Sequence, residues 1–256
     1  MSANDIGRSP LAYKDEEFLD SEEARPLRIL AEYMQPLRIF ERESILGTIV
    51  FFGSARILPA GPLSRYYDAA RELARRVTGW CACAPHPADC FVVCSGGGPG
   101  IMEAANLGAA EAGGRSIGLN IGLPHEQQPN PHTPRELTFE FHYFFMRKLW
   151  FASLARALVV FPGGFGTLDE LFELLTLAQT RKLERPIPIV LYGSEYWNEV
   201  INFEAFVRHG MIDREDLALF DYADDPEAAL AILQRSVEAE PVEKPPAFAH
   251  SNRPES

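Results

Sequence analysis

The chain has no apolar run approaching the roughly 18 residues that a membrane-spanning helix needs. Its opening residues, with Asp5, Asp15, Glu16 and Glu17, lack the basic and apolar pattern of a signal or transit peptide. The default expectation is a cytoplasmic protein. Positive charge is in short supply: 24 lysines and arginines face 36 aspartates and glutamates, for a formal net charge of −12 at pH 7. Without a basic field to gather phosphates, nucleic acid and anionic membrane are excluded as broad partners. A single phosphorylated metabolite is not excluded, since a local nest of backbone N–H groups can hold one. Cysteine is scarce too. Cys81, Cys83, Cys90 and Cys94 share one short stretch with His86, but they lack the paired Cys-x-x-Cys rhythm of structural zinc. Nor do His125, His132 and His142 show a ligand spacing, so neither a metal nor another cofactor is expected.

What is present suits one α/β domain with additions at both ends: 256 residues, 46% of them hydrophobic. Three parts are expected. Residues 1–45 form a polar segment and a helical extension, 46–238 a Rossmann-like nucleotide-binding catalytic domain, and 239–256 a disordered tail. In the extension, 21–40 reads as a helix carrying Leu27, Leu30, Tyr33, Met34 and Leu37, which Pro36 should kink or split. From Thr48 onward short apolar runs alternate with helical stripes. Strands are expected at 48–52, 91–94, 116–119, 137–141, 157–161 and 187–191, the last at an edge or irregular position because of Pro188. Helices are expected at 63–77, 167–180, 197–208 and 226–238, with another carrying Met146, Arg147 and Lys148. Strands separated by helix-length segments call for a parallel sheet covered by helices on both faces. Ligands of such sheets sit at the carboxyl ends of the strands, near the switch point.

Three turns follow strands and should gather at that edge. The most informative runs from Phe161-Pro162 through Gly163, Gly164, Phe165, Gly166 and Thr167 to Leu168-Asp169-Glu170. Glycines let the backbone turn sharply and bring bare N–H groups near a ligand, and the positive end of the following helix favours phosphate. Glu170 then stands beside the proposed anion site. A second turn, Ser95-Gly96-Gly97-Gly98-Pro99-Gly100, leads into a helix with Glu103 in its first turn, and Gly53-Ser54-Ala55-Arg56 is a third. The second does not match the G-x-G-x-x-G dinucleotide fingerprint. Each residue also has a plain structural reading. Ser54 suits an N-cap, Glu103 a helix dipole, Thr176 a helix face, and Arg147-Lys148 a solvated face.

The residues from Gly96 to Glu103, those from Pro162 to Glu170, and Met146-Arg147-Lys148 between them resemble the Lonely Guy family, over about 48–191. Its members include cytokinin riboside 5′-monophosphate phosphoribohydrolases and have often been mislabelled lysine decarboxylases. The resemblance implies hydrolysis of the N-glycosidic bond of a nucleoside 5′-monophosphate such as AMP, giving free base and ribose 5-phosphate. It implies Arg147 and Glu170 as the catalytic pair. Ligand contacts would fall on Glu126, Lys148, Gly164, Phe165, Gly166, Thr167, Asp169 and Thr176. A homodimer or larger assembly is implied as well, with the aromatic helix from Phe144 to Phe151 as its support in the sequence. Many members carry Glu-Glu where this chain has Asp169-Glu170.

The chemistry suits the residues. Breaking a ribosyl C–N bond develops oxocarbenium character, which a nearby carboxylate stabilises. Phosphate anchoring at Gly97, Gly98, Gly164, Gly166 and Thr167 would supply remote binding energy to position the sugar. Two rivals stand beside this reading. One is a non-catalytic carrier or sensor of nucleotide or molybdenum cofactor with the same fold. The other, lysine decarboxylation, is rejected because no lysine sits in a recognisable Schiff-base setting.

Overall fold

A computed structural model describes residues 11–82, 91–122, 128–183 and 185–238. Seven strands make one parallel sheet: β1 (Thr48–Phe52), β2 (Val92–Ser95), β3 (Ser116–Ile121), β4 (Thr138–Phe141), β5 (Ala155–Val160), β6 (Ile189–Tyr192) and β7 (Phe220–Ala223). Their spatial order is β4-β3-β2-β1-β5-β6-β7, every neighbouring pair parallel. Chain order runs outward from β1 in one direction and from β5 in the other, so the switch point lies between these two strands. Both are buried at every position, as strands covered on two faces must be.

Alternate residues of the central strands β2, β1, β5 and β6 feed two cores. Ile49 and Phe51 of β1 pack with α3 (Ser64–Ala82), α4 (Ile101–Glu111) and α9 (Pro226–Glu238). Val50 and Phe52 face α2 (Arg25–Arg42), α5 (Phe144–Leu154), α6 (Phe165–Gln179), α7 (Ser194–Val200) and α8 (Phe203–Arg208). A short α1 (Glu16–Asp20), capped by Asp15, precedes α2.

Four local expectations need correction. Pro36 neither splits nor ends α2, which is continuous from Arg25 to Arg42. Proline has no N–H to offer the carbonyl four residues back, at Glu32. The indole N–H of Trp150 fills that vacancy, donating to the Glu32 carbonyl at 3.0 Å. The Glu32 carboxylate meanwhile accepts from the N–H groups of His142 (2.7 Å) and Tyr143 (3.3 Å), at the start of α5. The extension is thus bound to the helix that carries Arg147.

The helix expected at 197–208 is two helices, because the Asn202 side chain accepts from the Ala205 N–H and starts α8 afresh. Strand β6 is interior, between β5 and β7. Pro188 lies just before it, with its carbonyl accepting from Leu158 N–H. Strand β7, unforeseen, closes that side of the sheet. The cysteines divide: Cys81 and Cys94 are buried, the Cys81 sulfur accepting from the Phe91 N–H, whereas Cys83, Cys90 and His86 lie outside the described residues. The tail at 239–256 lies outside them too. No helix among the described residues is long and apolar enough to cross a membrane.

Candidate active site

The three turns meet at the carboxyl edge of the sheet, flanking the switch point. Strand β1 ends beside β5, Phe52 paired with Val160, and beside β2, Phe51 paired with Ser95. Their loops are then stitched together: Ser54 N–H donates to the Pro162 carbonyl (3.0 Å), and Ile101 N–H donates to the Ser54 carbonyl (3.2 Å). Ser54 does not cap a helix. Its hydroxyl accepts from the Arg56 N–H within its own turn.

The two glycine turns differ in what they leave open. At α4 one terminal N–H is already taken by Ser54. Helix α6 starts at Gly164 with no side-chain cap, so its first amides, from Phe165 to Thr167, keep their need for an acceptor. With the positive end of the helix dipole, they are suited to hold an anion. Gly163 and Thr167 are buried, while Gly164, Phe165 and Gly166 are exposed. The Tyr196 hydroxyl fixes this turn from behind, donating to the Gly163 carbonyl at 2.8 Å.

Arg147 comes to the same edge from α5. Its guanidinium lies 3.4 Å from Glu170, both side chains being nearly buried, at 10% and 15% exposure. Gly96 makes room for it: a Cβ there would stand 2.5 Å from the Arg147 guanidinium. Arg147 therefore sits between the Gly96 turn and Glu170 and touches both elements. It also lies over the ring of Phe151, and its Nε has no hydrogen-bond partner among the described residues. Burial pushes the Glu170 carboxyl up to about 7, against the opposing pull of Arg147. A carboxyl near neutrality beside an arginine is suited to accept a proton. Beneath them lies the Cys94 thiol, which burial pushes far up, so it stays neutral.

Not all the residues singled out from sequence face that edge. Lys148 donates to Asp169 (2.7 Å) and Glu173 (3.0 Å) on the outer side of α5 and α6. With Phe165, Phe172 and Thr176 these residues line an open groove of about 540 Å³. Thr176 spends its hydroxyl on the Phe172 carbonyl of its own helix. Gly97 and Gly98 are buried within their turn. Glu103 lies 4.0 Å from His132, and Glu126 falls outside the described residues.

Sequence reasoning missed the polar cluster behind the Gly96 turn. The Ser95 hydroxyl donates to Asn106 (2.7 Å) and accepts from Gly97 N–H (3.1 Å). Asn130 donates to the carbonyls of Gly97 and Gly98 and to the Asn106 side chain. The signal available was an asparagine in a polar, proline-broken loop, which usually means solvent. Here it is buried.

A seven-stranded parallel α/β sheet with glycine turns and a charged pair at its switch point defines a Rossmann-like protein. A family model described as "Possible lysine decarboxylase" matches residues 102–233, just over half of the chain. The cytokinin riboside 5′-monophosphate phosphoribohydrolase LOG3 of Arabidopsis thaliana is 31% identical over 171 residues, 64% of this chain and 70% of that protein. LOG4 of the same plant is 31% identical over 180 residues, 67% of this chain and 74% of that one. The chain belongs to this family, the Lonely Guy family. In fold it also matches a solved structure described as the molybdenum cofactor binding protein of Rippkaea orientalis. That match has a TM-score of 0.51 over 74% of this chain and 96% of the other, at 19% identity, and shows shared architecture alone.

Proposed function

We propose that the protein is a nucleoside 5′-monophosphate phosphoribohydrolase, which releases free base and ribose 5-phosphate from AMP or a cytokinin riboside monophosphate. One observation carries the reading: Arg147 and Glu170 meet between the Gly96 turn and the uncapped start of α6. The 5′-phosphate is held at that helix start, and its binding energy positions the sugar. Water attacks the anomeric carbon as the C–N bond breaks, and the base leaves with the bonding electron pair. Glu170 stabilises the developing positive charge and takes the water's proton, which then passes to the departing base to give the neutral free base and restore the carboxylate, while Arg147 offsets negative charge on phosphate or departing base. Asp169 and Lys148 shape the outer flank of the site.

The names of the similar proteins support this activity, and the substrate class is the one they carry. Decarboxylation through Lys148 does not fit. Burial alone would lower that amine, but the Asp169 and Glu173 carboxylates outweigh it and hold the amine raised and charged. A Schiff base needs a neutral amine. We also propose that a second copy of the chain covers the apolar side chains that α5 and α6 leave exposed, Phe144, Phe145, Leu149, Phe165 and Phe172.

The test is incubation of the purified chain with AMP and chromatography of the products. Adenine and ribose 5-phosphate should appear together, and Glu170→Gln should lower the rate by at least about a hundredfold while AMP still binds. AMP bound but never cleaved by the unaltered chain would transfer the protein to the carrier reading.

A further inference from the structure

Asn130 lies on neither glycine turn and on neither α5 nor α6, yet it donates to both Gly97 and Gly98 of the Gly96 turn. Its backbone N–H donates to the Gly97 carbonyl at 2.8 Å. Its side-chain amide donates to Gly97 (3.0 Å), to Gly98 (3.1 Å) and to the Asn106 side chain (2.9 Å). Its own Oδ1 accepts from the His132 N–H at 3.2 Å. The residue is 7% exposed, so water does not compete for these bonds. We propose that Asn130 is a positioning residue of the phosphate subsite, and that its carboxamide turns the carbonyls of Gly97 and Gly98 away from the bound 5′-phosphate. This rests on the hydrolase reading for its ligand, though not for its geometry.

The physical need is specific. A run of three glycines has little intrinsic preference for one backbone conformation, and ordering it costs more entropy than ordering other residues. Rotation of the Gly97–Gly98 peptide plane would swing the Gly97 carbonyl toward the anion in place of the Gly98 N–H, turning attraction into repulsion, and the Gly98 carbonyl, which precedes Pro99, has no N–H on its own peptide to offer instead. Asn130 removes that alternative by giving both carbonyls a donor on the protein side. Behind it, Ser95 and Asn106 fix Gly97 N–H, and the Asn120 amide lies 2.5 Å from where a Gly97 Cβ would project. At φ +72° Gly97 is also in the left-handed region. The turn is held from several sides, and Asn130 is the member that sets the direction of its carbonyls.

A purely structural role and a phosphate-orienting role separate in ligand preference. AMP and adenosine differ only in the phosphate, so calorimetric titration of both, in a Glu170→Gln background that stops turnover, against the chain with Asn130 unaltered, with Asn130→Ala and with Asn130→Asp gives the readout. AMP affinity should fall at least tenfold in Asn130→Ala, and further in Asn130→Asp, whose carboxylate faces three acceptor oxygens. Adenosine affinity should change less than twofold. Circular dichroism confirms that each variant is folded at the titration temperature, and Asn130→Ser replaces any that is not. Equal losses for both ligands, an unchanged AMP affinity, or no preference for AMP with Asn130 unaltered would overturn the proposal. Adenine release is measured separately: an unaltered chain that prefers AMP but never cleaves it removes the hydrolase reading and leaves the role of Asn130 standing.

Discussion

At the scale of single residues, the Arg147–Glu170 pair has a measurable consequence. With its carboxyl raised to about 7, Glu170 in the free protein is neutral on the acid side of that value and charged on the alkaline side. If its carboxylate takes the proton from water, kcat/KM for AMP should rise with pH through about 7 and level off above it. A profile flat from pH 5.5 to 8.5 would remove Glu170 as the base. The same shift has a stability consequence of defined sign. The native state binds this proton more tightly than the unfolded chain, whose carboxyl titrates near 4.5. Glu170 therefore weakens the fold progressively as pH rises from about 4.5 through about 7. Relative to the unaltered protein, Glu170→Gln should be more stable at pH 8 than at pH 5, as read by thermal melting at both. Gly96→Ala should strike the same pair differently, because its new methyl would displace the Arg147 guanidinium. Activity should fall at least tenfold with little change in melting temperature.

At the scale of elements, α5, the helix that carries Arg147, depends on the extension. Trp150→Phe deletes the donor that satisfies the Glu32 carbonyl opposite Pro36. It should destabilise the chain by about 1–3 kcal/mol in denaturant titration. An unchanged midpoint would mean that α2 tolerates its proline without help. This is also where the sequence was least informative. A proline inside an apolar helical stripe predicts a kink or a split from local sterics, whereas the donor that meets the Glu32 carbonyl comes from a residue 118 positions away. The break at Asn202 was missed for the opposite reason, since the stripe from Trp197 to Arg208 continues across it although the backbone does not. Strand β7 escaped because Phe220-Asp221-Tyr222-Ala223 is short and interrupted by Asp221, as an edge strand can be. By contrast, β1 and β5 were plain, because strands buried on both faces must be continuously apolar. Arg147 and Glu170 were legible through their motifs. Asn130 was not, because burial of a loop asparagine is decided by tertiary packing.

At the scale of the whole molecule, the parallel sheet places turns distant in sequence at one edge, where the switch point opens between β1 and β5. The two charged sets then divide by face. Arg147 and Glu170 point to the sheet edge, and Lys148, Asp169 and Glu173 line the outer groove. Phe165, 92% exposed beside that groove, is the most exposed large apolar side chain among the described residues. If a second copy covers it, Phe144→Glu combined with Phe145→Glu should shift sedimentation from dimer to monomer. A chain that sediments as a monomer before substitution would dismiss the assembly.

The most direct measurement is a crystal structure of Glu170→Gln with AMP bound. The phosphate should lie against the amides from Phe165 to Thr167 and the Gly96 turn, with the anomeric carbon facing residue 170. A nucleotide seated instead in the outer groove, between Lys148 and Phe172 and out of reach of residue 170, would contradict the proposed chemistry.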